Sequence, residues 1–142
     1  MKAYADIQNM KERFGVLELL QLTDAAGEDL SAEETAVIET ALNDATAFMN
    51  GYIRVRHSLP LSAVSPVLTR LCCEIARFYL YKTAVTDVVK DAYDAAVKVL
   101  RDIAKGDLLL SDPEGTPPEQ GAPLVIVGGA ERLFNQNSMK GF

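Results

Sequence analysis

The stretch from Ser31 to Ile53 constrains this chain most, because one apolar stripe there keeps helical spacing without a break. Val37, Ile38, Ala41, Leu42, Ala45, Phe48, Met49, Tyr52 and Ile53 recur at intervals of three and four, while Glu33, Glu34, Glu39, Asn43 and Asp44 fill the opposite face. Ser31 followed by Glu34 is a capping-box pattern: the serine satisfies an orphan backbone N–H and the glutamate reaches back to the cap. A helix this long with one greasy side is stable only if other elements cover that side. Gly51 interrupts it at a cost of about 1 kcal/mol relative to alanine and predicts close approach of a neighbouring helix.

The covering elements are legible on either side. Ser65-Pro66 reads as an N-cap followed by proline at the first helical position. From there Val67, Leu68, Leu71, Cys72, Ile75, Ala76, Phe78 and Tyr79 cover more than one face, which predicts the central core helix. Thr86 and Asp87 open a further helix whose Val88, Val89, Ala92, Tyr93, Ala96, Val99, Leu100 and Ile103 repeat at helical spacing up to Gly106, with Asp94 and Lys98 set for an i,i+4 ion pair. Before the long helix, Asp6 is a candidate N-cap for Ile7 to Phe14, and Gly15 stands where a helix stops. Val16 to Leu22 forms a leucine knot at 17, 19, 20 and 22 that must pack on something larger, as a lid or brace. Thr23 to Leu30 lacks the ligand spacing and length of a calcium loop and reads as a solvated turn.

After Gly106 the chain changes character. Ser111 to Pro123 holds four of the six prolines and excludes helix and central strand. With 142 residues there is room for one core. The expectation is therefore an all-α helical bundle of about four main helices over residues 1–106, a Pro/Gly-rich linker over 107–123, and an extended C-terminal arm over 124–142. In that arm Leu124, Val125, Ile126 and Val127 form a short β-branched strand closed by Gly128-Gly129.

The chemistry-bearing residues are sparse. Lys and Arg total 14 against 20 Asp and Glu, a formal charge of -6, the wrong sign for a protein that binds by neutralising phosphates. Cys72 and Cys73 are adjacent, point about 100° apart on a helix and do not bridge each other, so they read as small core hydrophobes. His57 is the single histidine and no CxxC occurs, which leaves a zinc or iron site without enough ligands. No GxSxG, P-loop or HExxH pattern is present. The expectation is no catalytic residue, no cofactor and no metal. No run of 18 apolar residues occurs and the N-terminus carries no signal-like stretch, so a cytosolic product with no membrane partner is expected.

Several pieces stand in an order that resembles the Mu-like phage gp36 family. They are Arg13-Phe14-Gly15 with Glu18-Leu19 and Gln21-Leu22-Thr23-Asp24; Gly51-Tyr52 with Arg56 and Leu59-Pro60-Leu61; Ile75-Ala76-Arg77-Phe78-Tyr79-Leu80; and Leu100-Arg101-Asp102-Ile103-Ala104-Lys105-Gly106. The ending Arg132-Leu133-Phe134 with Met139-Lys140-Gly141-Phe142 fits too, whereas His57 and the Phe78-Tyr79 pair depart from the expected pattern. The resemblance spans nearly the whole chain and rests on the order of its pieces, none diagnostic alone.

It implies a structural virion protein at the head-tail interface, assembled in the host cytoplasm: a connector or adaptor ring subunit beneath the portal, with no catalytic role. It implies a homo-oligomeric ring of about twelve copies closed by heterologous contacts. Its partners would be the portal protein and a head-closure or tail-completion protein, with DNA only in transit through the lumen. The implied partner-binding residues, on the portal or a neighbouring subunit, are Leu124, Val125, Ile126, Val127, Arg132, Leu133, Phe134 and Phe142. Another neck or tail-completion protein, a head closure or tail terminator, is the alternative, and those tend to be β-rich. Arg77 and Arg101 read by default as parts of solvated helix faces, with subunit or portal contact as the other reading.

Overall fold

A computed structural model describes residues 2–110, and over that span the chain forms five helices: α1 (Ile7–Phe14), α2 (Val16–Leu22), α3 (Ala32–Ile53), α4 (Pro66–Leu80) and α5 (Asp87–Lys105). Their starts are fixed by local chemistry. Asp6 and Asn9 cap each other reciprocally, each backbone N–H donating to the other's side chain at 2.8 and 2.9 Å. At α3 the Glu34 carboxylate accepts from the Ser31 N–H at 2.8 Å and from its hydroxyl at 2.6 Å, which holds Glu34 below the usual carboxylate range. Thr86 accepts from the Val89 N–H and opens α5.

The stops are as local. Gly15 turns the chain between α1 and α2 at φ +87°, with its N–H on the Lys11 carbonyl. Gly106 ends α5 in the left-handed conformation, φ +88°, and its N–H returns to the carbonyls of Asp102 and Ile103.

The helices pack in three layers. In the middle α3 and α4 run antiparallel: Thr46 meets Cys72 at 3.5 Å, and one turn further along α3 Tyr4 spans from Asn50 to Thr69, three residues earlier on α4. The α1–α2 brace covers one side of this pair and α5 the other. Two neighbouring residues of α4 show the division, since each step around a helix is about 100°. Arg77 faces Glu18 and Phe14 of the brace, while Phe78 stacks on Tyr93 of α5. The core between the layers contains Met10, Leu19, Ile38, Leu42, Met49, Ile53, Leu68, Leu71, Ile75, Leu100 and Ile103, all fully buried. Each side chain of this size contributes about 1.5–3 kcal/mol by leaving water. Leu110, beyond Gly106, still packs half-buried against this core.

The expected all-α bundle is present, with five helices among the described residues against about four expected, the segment Val16–Leu22 being the added one. Several finer expectations are corrected. Leu17 and Val88 are each 71% exposed, and Val37 and Val67 are largely exposed, because a covering helix shields an arc and these residues stand one step beyond it. At Gly51 an added Cβ would meet nothing within 4 Å, so no helix approaches closely there. Asp94 pairs with Lys90 at 2.9 Å rather than with Lys98, which instead lies 3.9 Å from Asp102. Pairs as exposed as these are screened by solvent and add little to stability in either arrangement. Residues 107–110 of the expected linker are described and Leu110 packs on the core, while the rest of the linker and the arm with its expected short strand lie outside the described residues.

Candidate functional site

The segments that carried the family resemblance meet one another in space. Arg77 places its Nε 2.6 Å from one Glu18 oxygen and its NH2 3.0 Å from the other, and its guanidinium carbon lies 4.4 Å from the centre of the Phe14 ring. This bidentate pair, shielded on its second face by an aromatic ring, ties the brace to α4. Arg77 is therefore an internal strap, neither a solvated face nor a free contact for a partner.

A second joint lies at the far end of α5. Arg56 donates to the carbonyls of Ala104 and Lys105, at 3.4 and 2.8 Å, where the last turn of a helix leaves acceptors unpaired and its dipole favours a cation. A Cβ on Gly106 would come within 2.9 Å of the Arg56 guanidinium carbon. Gly106 thus serves twice, supplying positive φ and leaving room for Arg56.

The third joint is buried. Thr46 accepts from the Tyr4 N–H at 3.1 Å, donates to the Leu42 carbonyl at 2.9 Å and contacts Cys72, so the N-terminal segment is stitched to the α3–α4 groove. Cys72 and Cys73 are core side chains, and burial pushes the Cys73 thiol up to about 12. His57 is nearly buried as well, with its Nε2 unpaired among the described residues, and burial holds its imidazole below the ordinary range.

With these groups absorbed into the body, two surfaces of the described residues stand out. One is a cleft of about 520 Å³ between the N-terminal segment and α3, lined by Tyr4, Asn9, Glu39, Leu42, Leu61 and Val64 among others. Its titratable lining is Lys2, Tyr4, Asp6 and Glu39. Among the described residues no group of three or more His, Cys, Asp or Glu is placed to hold a metal ion.

The other surface is an aromatic face. Phe78 stacks on Tyr93 at 4.0 Å between centroids and 17° between planes; Phe48 lies 6.4 Å from Tyr93 and meets Tyr52 edge-on at 5.4 Å; Tyr79 adds a ring 6.4 Å from both Phe78 and Tyr93. Such offset and edge-on contacts are favourable, and the five rings form a rigid plate. None is fully buried, and Tyr79 is 36% exposed. Burial, then Tyr93, Asp44 and Tyr52 in turn, pushes the Tyr79 phenol up to about 12. Burial also raises Tyr93, with Tyr52 and Asp94 adding to the effect and Arg101 opposing it. The plate is therefore edged by charges of both signs.

Charge is unevenly spread from end to end. Lys82 and Asp24, 3.7 Å apart, bring the α4–α5 and α2–α3 loops to one end, where residues 24–34 hold Asp24, Glu28, Asp29, Glu33 and Glu34 and no base. The opposite end, marked by the Arg56 joint, carries Arg54, Arg56 and Lys105.

The partner-binding residues expected from the sequence, Leu124, Val125, Ile126, Val127, Arg132, Leu133, Phe134 and Phe142, lie outside the described residues. Sequence reasoning missed the aromatic plate, having assigned its rings to core stripes. A signal was there: Phe78 and Tyr79 are adjacent in a helix, and two rings about 100° apart cannot both point into one core.

Comparison with known proteins gives a match over most of the chain. A family model described as Bacteriophage Mu, Gp36 matches residues 4–127. The chain is 32% identical over 145 aligned residues to the Mu-like prophage FluMu protein gp36 of Haemophilus influenzae, with 100% of this chain and 99% of that protein covered. It is 33% identical over 141 residues to gene product J of Escherichia phage Mu, covering 98% of each.

Proposed function

The chain belongs to the bacteriophage Mu Gp36 family, and from that premise we propose that it is a head-tail adaptor, one subunit of a ring that sits beneath the portal and joins capsid to tail. It is a bacteriophage-derived protein, and the family points to a structural or morphogenesis role. On the finer reading, copies close side to side into a ring of about twelve, matching the portal, with a head-closure or tail-completion protein on the tail side. DNA passes through without being held, and the protein performs no catalytic step.

One observation carries the reading: Arg77, Glu18, Arg56 and Thr46 are all engaged in holding helices together, as befits a structural body. The aromatic plate and the chain beyond Leu110 are the parts assigned to recognition. The net charge of -6 supports a channel wall along which phosphate slides, because a basic lining would retain it. The arm supports a joint made by many copies, where Leu133, Phe134 and Phe142 each contribute about 1.5–3 kcal/mol before the cost of ordering and the ring multiplies a modest contact.

The test is a chain stopped before Gly121. It is expected to keep its helical circular dichroism and cooperative unfolding, yet to leave unjoined heads and tails when supplied to a phage lacking the full-length protein. Infectious particles assembled with the shortened chain would overturn the docking role of the arm. Electron micrographs of the virion neck without a ring of this protein would overturn the adaptor role itself.

A further inference from the structure

The aromatic plate has a rim that matches one segment of this same chain. On the α3 side stands Asp44, exposed, without an ion pair among the described residues, and one helical turn before Phe48 of the plate. On the α5 side Arg101 follows Tyr93 by about two turns, while Asp94 is held by Lys90. The surface thus offers rings for an apolar or aromatic side chain, the Asp44 carboxylate for a cation, and the Arg101 guanidinium for an acid. Within residues 111–142 one short stretch carries all three in sequence, Glu131-Arg132-Leu133-Phe134.

We propose that the Glu131-Arg132-Leu133-Phe134 segment of one copy docks on the Phe78–Tyr79–Tyr93 plate of a neighbouring copy, with Arg132 on Asp44 and Phe134 on the exposed rings. This rests on the ring reading above and names the surface that receives the arm. Length permits it. Twenty-two residues separate Leu110 from Arg132, a reach of up to about 70 Å at about 3.3 Å per residue. That exceeds twice the length of α5, about 28 Å at 1.5 Å per residue. Position favours it too, because the chain passes Leu110 at the end marked by Arg56, whereas Tyr79 and Tyr93 lie toward the opposite end of α4 and α5. The chain beyond Leu110 therefore starts at the end away from its own plate, and dependence of docking on protein concentration decides between that plate and a neighbour's. Chemistry sets the register: an arginine two residues before an aromatic ring can engage a rim carboxylate while the ring lies on the plate.

The chain contains no tryptophan, so Phe134→Trp in the full-length protein is a clean reporter. With tyrosine excited, energy transfer to the introduced indole and a blue shift of its emission are expected to rise together as protein concentration increases. Asp44→Arg, a change at an exposed position, is expected to raise the half-maximal concentration about tenfold through loss of one ion pair and gain of a like-charge contact. Arg132→Asp is expected to do the same, and the two together to recover most of the loss. Emission like that of free indole at every concentration would overturn the proposal, as would a signal independent of concentration, which would place the arm on its own body. A charge-swapped double variant no better than either single variant would overturn the Arg132–Asp44 pairing. These outcomes are separable from failure of the adaptor reading: a chain stopped before Gly121 that still fails to join heads to tails, alongside a solvent-exposed indole in the Phe134→Trp protein, leaves the adaptor role standing and removes only this surface.

Discussion

Removing the Arg77 guanidinium should loosen the brace without involving any second copy of the protein. The pair it makes with Glu18 is bidentate at 2.6 and 3.0 Å, and the two side chains are only 18% and 24% exposed. An exposed ion pair is worth about 0.2–1 kcal/mol, whereas breaking a buried one costs about 3–5 kcal/mol. A joint about four-fifths shielded lies between, at about 1–2 kcal/mol, and the contact with Phe14 adds about 0.5–1 kcal/mol. Arg77→Ala is therefore expected to destabilise by about 1.5–3 kcal/mol, a fall in Tm of about 6–12 °C for a body of about 110 residues. Arg77→Lys should recover less than half, since an ammonium cannot fork onto both oxygens. The assay is thermal and urea unfolding of wild type, Arg77→Ala, Glu18→Gln and the double variant, each at two protein concentrations. A coupling of about 1–2 kcal/mol, unchanged by concentration, is expected. Coupling below about 0.5 kcal/mol would refute the strap, and coupling that grew with concentration would return Arg77 to a subunit interface.

Three further outcomes follow from the joints and the core. His57 is nearly buried with its proton affinity lowered by burial, so on acidification the unfolded chain takes up a proton before the folded one does. Stability should fall as pH drops through about 6.5 and below, and His57→Phe should remove that part of the slope in urea titrations at a series of pH values. Cys72 and Cys73 are fully buried, and the Cys73 thiol is pushed up to about 12; a thiol reagent at about pH 8 should leave both untouched in the native protein and titrate both in denaturant, with fast native labelling counting against this packing. Gly106→Ala forces a side chain into φ +88° and against Arg56. It should cost about 1–2 kcal/mol, read as a lower urea midpoint, and Arg56→Ala in the same chain should relieve part of the clash.

Much of the body was legible because its signals are local. Asp6, Ser31 and Thr86 announce helix starts by side-chain chemistry that operates within four residues; α4 opens at Pro66 by the fixed φ of proline, the Ser65 hydroxyl making no cap hydrogen bond among the described residues, and Gly15 and Gly106 announce stops by backbone freedom. What the sequence could not supply is which arc of each helix a neighbour shades, since that depends on packing between distant segments. Leu17, Val37, Val67 and Val88 fit their periodic stripes yet stand in solvent. Arg77 looked like a surface charge because its partner, Glu18, lies far along the chain, and the Arg56 joint went unread because the end of α5 is as distant. The plate stayed hidden for the same reason, being assembled from three helices with no single stretch containing it. The resemblance was legible by order alone, and its pieces turn out to be residues that meet: Phe14 and Glu18 with Arg77, Arg56 with Ala104, Lys105 and Gly106.

The Arg56 joint also determines how the body bears a pull. Any tension on the chain beyond Leu110 enters through the last turn of α5, where the N–H groups of Asp107 and Leu108 are fastened to the Asp102 carbonyl. Arg56 bolts the neighbouring carbonyls of Ala104 and Lys105 to the end of α3, the longest of the described helices, so a load entering there is shared between two helices instead of resting on the last turn of one.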